Sequence, residues 1–311
     1  MPSRGTARGT DSKQAGSGSA GRALPRRILA LDTATRFGGA ALVEAGRVVA
    51  EVWIGPERST SAHLLPLVQQ LLAAAGWARE QIEAVAVTVG PGSFTGLRIG
   101  VTTAKALAYA WHVPVIGVTT LQVMAAQALW EGRWPGSFKG WLVPVIRSRR
   151  NEFYIQLFEL PASPGTAASL RPAGSSGPVA WPGQAAPPGP SASPAETVPV
   201  QGLPQPVTRP EVLSAAVWMS GEWLRANVSG DLILIGDPSL IKELKESFPG
   251  EGSVLPETVH HEPLPPLIRP AAVGRVAWLL AAARVQGGEA VGETAMAVQP
   301  LYVARPLEKV T

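Results

Sequence analysis

The 311-residue chain has no cysteine. That excludes a disulfide framework and any thiolate metal site, and it fits a reducing compartment. It also lacks any run of about 18 consecutive apolar residues, so no membrane-spanning helix and no membrane contact are expected. The opening MPSRGTARGTDSKQAGSGSAGRALPRR has no apolar segment of the kind that marks a secretory signal. The expected location is therefore cytoplasmic. Histidine is scarce, at positions 63, 112, 260 and 261. A helix-borne zinc pair needs two histidines four residues apart on one face. No two of these are so spaced, and adjacent His260 and His261 point apart in a helix or a strand. No metal site is expected, and zinc peptidase chemistry lacks its ligands.

Positive charge is also missing from most of the chain. The formal charge is +4, yet residues 1–27 alone carry Arg4, Arg8, Lys13, Arg22, Arg26 and Arg27 against Asp11, a net +5. The other 284 residues therefore sum to −1. Residues 1–27 read as a disordered basic tail. A second region has too little apolar surface to order itself. Residues 161–210 hold 13 prolines and a single acidic residue, Glu196, and read as a flexible proline-rich insertion.

What remains has strong periodicity. Ile28–Leu31 reads as a buried strand, and GGAALVEAGRVVAEVWI as two more around a turn at Ala45-Gly46. Three strands joined by tight turns form an antiparallel meander. STSAHLLPLVQQLLAAAGW (59–77) reads as a helix capped by Ser59 or Ser61 and ended by Gly76, with Pro66 near its first turn. IEAVAVTVG is a strand, SFTGLRIGVTTAKALAYAWH a helix, and VPVIGVTTLQ a strand entering a helix at about 119–130. KGWLVPVIRSRRNEFYIQLFEL (139–160) reads as two strands around Ser148–Asn151. Helices are expected at 209–226, 238–248 and 269–288, with a strand at 231–237. The expected fold is α/β, with two actin-like (ribonuclease H-like) lobes of mixed sheets flanked by helices. The first lobe is expected at 28–118 plus about 289–311. The second is expected at 119–288, including the insertion.

VGPGSFTGLRIGV (89–101) stands where a phosphate loop would stand, between strand and helix. Two common motifs fail on it. No Lys follows Gly96, so it is not a G-x-x-x-x-G-K-[ST] loop. Gly90, Gly92 and Gly96 are spaced one residue too widely for a dinucleotide fingerprint. The helix N-terminus with Ser93 and Arg98 could still attract an anion. An alternative lies in Gly96, Gly100, Ala104 and Ala108, which recur every four residues as a small-residue ridge that another helix can approach closely. The preceding helix carries Leu64, Leu65, Leu67, Val68, Leu71 and Leu72, which cover more than one face. Leu64, Leu67, Val68 and Leu71 with the four ridge residues are the candidate partner interface; the alternative is that both helices pack within their own lobe.

LALDTAT, STSAHLLPLVQQLL, VGPGSFTGLRIGVTTAKALA, PVIGVTTLQ and PLYVARP together resemble the TsaB (YeaZ) family of bacterial tRNA threonylcarbamoyladenosine biosynthesis proteins. The resemblance is densest over about residues 28–125. It implies a non-catalytic subunit that pairs with and activates TsaD, which transfers threonylcarbamoyl to N6 of adenosine 37 in tRNAs reading ANN codons. ATP and metal would then sit on partner subunits, with TsaE as the ATPase, tRNA reached through the complex, and a homodimer when the chain is alone. The pairing would use the helices at 62–75 and 95–110. Thr60-Ser61-Ala62, Arg147-Ser148-Arg149 and Tyr302-Val303-Ala304-Arg305 depart from the family pattern.

Other classes are an ATP-dependent enzyme, a glycoprotease-type peptidase, or a stand-alone homodimeric regulator. For the first, Asp32 ends the first strand where actin-like kinases keep a metal-associated acid, and Thr33 could hold a phosphate. The second half lacks the matching Gly-Gly pair, since Asp237 follows Gly236. Asp32, Thr33, Ser93 and Arg98 are thus at most a vestigial nucleotide or anion site. Arg147, Arg149 and Arg150 form a basic turn that could contact tRNA phosphates.

Overall fold

The computed structural model describes residues 23–55, 60–131, 140–148, 152–159, 203, 205–206, 210–214, 232–236, 240–243 and 268–301. The meander is present as β1 (Arg27–Asp32), β2 (Gly38–Glu44) and β3 (Arg47–Ile54). Ala45 and Gly46 both take positive φ, 47° and 78°, as a two-residue hairpin turn matched to strand twist requires. β4 (Ala84–Gly90) and β5 (Val115–Thr119) add parallel strands, giving the order β3-β2-β1-β4-β5.

Strand alternation divides the core between the two faces of this sheet. Leu29, Leu31, Leu42, Val85 and Val87 face α1 (Thr60–Ala75) and α2 (Phe94–Trp111). Ile28, Ala30, Ala41, Ala84 and Ala86 face α3 (Thr120–Glu131) and α4 (Pro270–Gln286). α1 lies over β2 and β3, and α2 lies mainly over β4. Beyond them residues 291–301 form a strap beside β5. Val115 and Glu293 exchange both backbone hydrogen bonds, at 3.0 and 2.8 Å, and the Leu301 N–H donates to the Val89 carbonyl at 2.6 Å. Across this face the order is therefore α1, α2, strap.

The second sheet repeats the meander. β6 (Trp141–Arg147) pairs antiparallel with β7 (Glu152–Ile155) and β8 (Phe158–Glu159). Val145 faces Ile155 and Leu142 faces Phe158, so β7 and β8 are one strand interrupted at 156–157. β9 (Gln205–Pro206) and β10 (Glu211–Ser214) pair with β8 and β7 in turn. β11 (Leu232–Ile235) runs parallel to β6, as β4 does to β1.

Three expectations change. Residues 211–214 are a strand, not the start of a helix over 209–226. The unpaired edge of β7 supplies backbone partners that local propensity does not anticipate. Pro66 is the seventh residue of α1 rather than a first-turn residue. It faces outward, where its ring meets no core neighbour. α4 packs on β1, β2 and β3 of the first sheet, so that helix does not sit with the second lobe as the boundary at 288 supposed. Glu51 of β3 fixes it there. Glu51 Oε1 accepts from the Ala271 N–H at 2.9 Å and its other oxygen accepts from the Arg269 guanidinium, while Gln127 Oε1 of α3 accepts from the Arg269 N–H at 3.0 Å. An anionic cap on a helix N-terminus is favourable because the first N–H groups lack intrahelical partners. The proline-rich insertion lies outside the described residues except for Leu203, Gln205–Pro206 and Pro210. The basic tail lies outside them through residue 22.

Candidate functional site

The glycine loop is held against the turn that follows β1. The Ser93 N–H donates to the Ala34 carbonyl at 2.7 Å. Ser93 Oγ accepts from the Gly96 N–H at 3.2 Å and so caps α2. The Thr33 hydroxyl donates to the Gly96 carbonyl at 2.7 Å. A Cβ at Gly96 would fall on the Thr33 carbonyl oxygen, and one at Gly100 on the Thr33 hydroxyl. Gly96 and Gly100 of the small-residue ridge thus pack on the chain's own β1 turn, while Ala104 and Ala108 join the core that α1 and α2 share over the sheet. Gly90, at φ 120°, lies where a Cβ would come within 2.8 Å of the Leu301 carbonyl oxygen, so the strap closes over the end of β4.

Asp32 lies beneath this loop and is buried. Its Oδ1 accepts from the Thr88 hydroxyl at 2.6 Å and the Ala34 N–H at 3.2 Å. Its Oδ2 is buried without a hydrogen-bond partner. Burial pushes its carboxyl from 3.8 up to about 6, against the lowering effect of the Thr88 and Ala34 hydrogen bonds. The sequence expectation puts a vestigial nucleotide or anion site, with its phosphates, at this turn. The residues present do not fit that group. Asp32 and Thr33 are both buried, the Thr33 hydroxyl is spent on Gly96, and Ser93 is spent on capping. The Arg98 guanidinium lies 3.9 Å from the Phe94 ring centroid. The structure therefore brings Asp32, Thr33 and Ser93 together, but as a packed joint. In the second lobe, a Cβ at Gly236 would meet the Val145 carbonyl at 2.9 Å and Ile241 at 3.2 Å, so that glycine also serves internal packing.

The candidate interface residues are placed differently from the expectation. Leu64, Leu67, Val68, Leu71, Ala104 and Ala108 are buried in the core beneath α1 and α2. Gly100 is buried as well and Gly96 is half-buried. They cannot form an outer surface, because the stripe that reads as surplus apolar area is what α1 and α2 use to cover their own sheet. The outer face carries other side chains. Leu65 is 48% exposed on α1, and Phe94 and Tyr109 are 46% and 71% exposed on α2. α1 has no Asp, Glu, Lys or Arg in its 16 residues. An outward face without charge was legible in the sequence and is the signal that points to Leu65. The third cluster is only partly placed. Arg147 pairs with Glu243 and lies 5.5 Å from the Phe153 ring centroid, while Arg149 and Arg150 lie outside the described residues. Among the described residues, no three His, Asp or Glu side chains gather as a metal site.

A family model for TsaD, tRNA N6-adenosine threonylcarbamoyltransferase, matches residues 54–163, which carry α1, α2 and the following elements. The chain is 36% identical over 132 residues to the tRNA threonylcarbamoyladenosine biosynthesis protein TsaB of Bacillus subtilis, covering 42% of this chain and 55% of that protein. It is 40% identical over 128 residues to the protein of that name from Escherichia coli, covering 41% and 53%. The match thus spans about half the length of these curated relatives. A tRNA N6-adenosine threonylcarbamoyltransferase of Anaeromyxobacter dehalogenans is 38% identical over 112 residues, 31% of this chain and 34% of that one. Among solved structures, YeaZ from Pseudomonas aeruginosa superposes with a TM-score of 0.58 at 23% identity, covering 89% of this chain and 99% of that one. Over part of its sequence the chain is similar to TsaB proteins, and in fold it is similar to YeaZ.

Proposed function

We propose that this chain is a non-catalytic subunit in tRNA threonylcarbamoyladenosine biosynthesis, which pairs with and activates a TsaD-like catalytic subunit. The observation that carries the reading is the outer face of α1 and α2. It is uncharged on α1, exposes Leu65, Phe94 and Tyr109, and lies in the segment matched by the TsaD family model. Large apolar side chains left exposed on neighbouring helices are candidates for a docking surface. A partner of the same superfamily would present a related helix pair, so the two subunits would meet across a pseudo-twofold axis. The same face would serve a homodimer when the partner is absent.

The non-catalytic part of the proposal is supported by the packed joint around Asp32 and Thr33, which offers no open phosphate cradle. ATP and metal then belong to the partner subunits, with TsaE as the ATPase. tRNA is reached through the complex, with Arg147, Arg149 and Arg150 among the phosphate contacts. Replacing all three with Gln lowers tRNA affinity and flattens its salt dependence. If affinity and slope are unchanged, that contact is ruled out.

The decisive experiment mixes this chain with a TsaD-like subunit, a TsaE-like subunit and tRNA, and measures modification with each protein omitted. The expected result is no modification without this chain and no turnover by this chain alone. Hydrolysis of ATP or peptide by the isolated chain at ordinary enzyme rates refutes the reading.

A further inference from the structure

The strap passes from one face of the first sheet to the other. It leaves α4 through residues 286–290, all exposed and including Gly287 and Gly288. Val291 is buried in the core that α3 and α4 share. Glu293 then pairs with Val115 at the outer edge of β5, and Ala295 and Val298 are buried in the core beneath α1 and α2. The strap thus wraps the edge of β5, and its buried side chains are two valines and one alanine. Its far end meets the glycine loop. β4 and β5 slip register between Thr88 and Gly90, which leaves Val89 outside their ladder. The strap supplies a partner there, since the Leu301 N–H donates to the Val89 carbonyl at 2.6 Å. The Leu301 carbonyl oxygen lies 2.8 Å from where a Cβ on Gly90 would stand, and the side chains of Val89 and Val298 both close over Gly117. Lys105 Nζ of α2 adds a bond to the Met296 carbonyl at 3.3 Å.

We propose that the strap is a latch on the glycine loop: it lifts from β5 and β4 without unfolding the sheet, and its release frees the loop and the first turn of α2. Two observations argue for it. The strap has few buried side chains and follows an exposed connection, which is the composition of a segment that opens below the global unfolding free energy. The sheet beneath does not depend on it in the same way, because β1 is bonded on both sides, by β2 and by β4. With Leu301 withdrawn, the Val89 carbonyl loses its partner and the space against Gly90 opens. The loop is then tied to the β1 turn alone, through Ser93 to Ala34 and Gly96 to Thr33. The inference concerns the free chain and stands whether or not α2 meets a partner.

Native-state amide hydrogen exchange of the full chain tests this, followed by NMR at rising urea below the unfolding transition. The Glu293 and Leu301 amides report on the strap, those of Ser93 and Gly96 on the loop, each having a hydrogen-bond acceptor in the closed structure. The Leu29 and Ala30 amides of β1 report on global unfolding. Strap and loop amides are expected to share one opening, with exchange at least about tenfold faster than in β1 and a weaker urea dependence. Val298→Ala removes a buried contact of the closed strap. It is expected to speed exchange at Glu293, Leu301, Ser93 and Gly96 by a common factor of about ten. Exchange of Ser93 and Gly96 together with the β1 amides overturns the inference. So does a Val298→Ala chain in which Leu301 exchanges faster while Ser93 and Gly96 keep their native rates. Strap amides that open only with β1 overturn it as well.

Discussion

Asp32 is a buried carboxyl with one oxygen satisfied and the other not. Burial raises its pKa in the folded chain, so the folded state holds that proton more tightly than the unfolded state. Its contribution to stability is therefore fully present below pH 3.8 and is lost as pH rises through about 6. The loss is about 3 kcal/mol at 1.36 kcal/mol per pKa unit. Asp32→Asn keeps an acceptor for Thr88 and cannot ionise. It is expected to raise the denaturation midpoint at pH 7 and to flatten the fall in stability between pH 4 and 6, as urea titrations across that range would show. An unchanged profile would mean that Asp32 does not carry this charge penalty. Gly100 belongs to the same joint. Gly100→Ala drives a methyl into the Thr33 hydroxyl and is expected to destabilise the monomer by about 1–3 kcal/mol. Thr33→Ala should restore part of that loss when combined with it, which a double-mutant cycle measures. Gly100 therefore reports on folding and is a poor probe of partner binding.

At the scale of elements, α1 and α2 each have a stripe turned inward and another turned outward, and the two answer different experiments. Leu71→Glu places a charge in the core beneath α1 and is expected to unfold the first lobe, at a cost of about 3 kcal/mol or more. Leu65→Glu places the same charge in solvent. It should leave the melting temperature within a degree or two and abolish co-elution with a TsaD-like partner. If Leu71→Glu folds normally, the inward assignment of that stripe is wrong. α4 gives a separate test. Glu51→Ala removes the acceptor for the Ala271 N–H and the partner of Arg269, and is expected to cost about 2 kcal/mol. Denaturant melts would show it as a lower midpoint, with α4 loosened from β3.

For the molecule as a whole, the two sheets tell one story twice. β6, β7 with β8, β9 with β10, and β11 repeat the pairing of β1 to β4. The proline-rich insertion falls in the connection between β8 and β9, the counterpart of the two-residue turn at Ala45-Gly46. A hairpin connection can lengthen without disturbing the paired strands, because the entropy of closing a longer loop grows slowly. Deletion of residues 165–200 is therefore expected to leave the melting temperature and the partner complex intact. Analytical size exclusion and calorimetry on the shortened chain would check both. Loss of the folded second lobe would show that the insertion contributes to it.

The buried strand at Ile28–Leu31, the turn at Ala45-Gly46 and the end of α1 at Gly76 were legible in the sequence. Each depends on residues within one turn or one strand of each other. Other features depend on contacts between segments far apart in the chain. Residues 211–214 became a strand because β7 offered an open edge. α4 joined the first sheet because Glu51 and Gln127 hold its N-terminus. The four-residue spacing of Gly96, Gly100, Ala104 and Ala108 predicts a flat helix face, but it cannot say what lies against that face. Only the tertiary structure turned it onto Thr33 and the sheet. Once the inward stripes had covered the core, Leu65, Phe94, Tyr109 and Met296 were the large apolar side chains left facing out from α1, α2 and the strap.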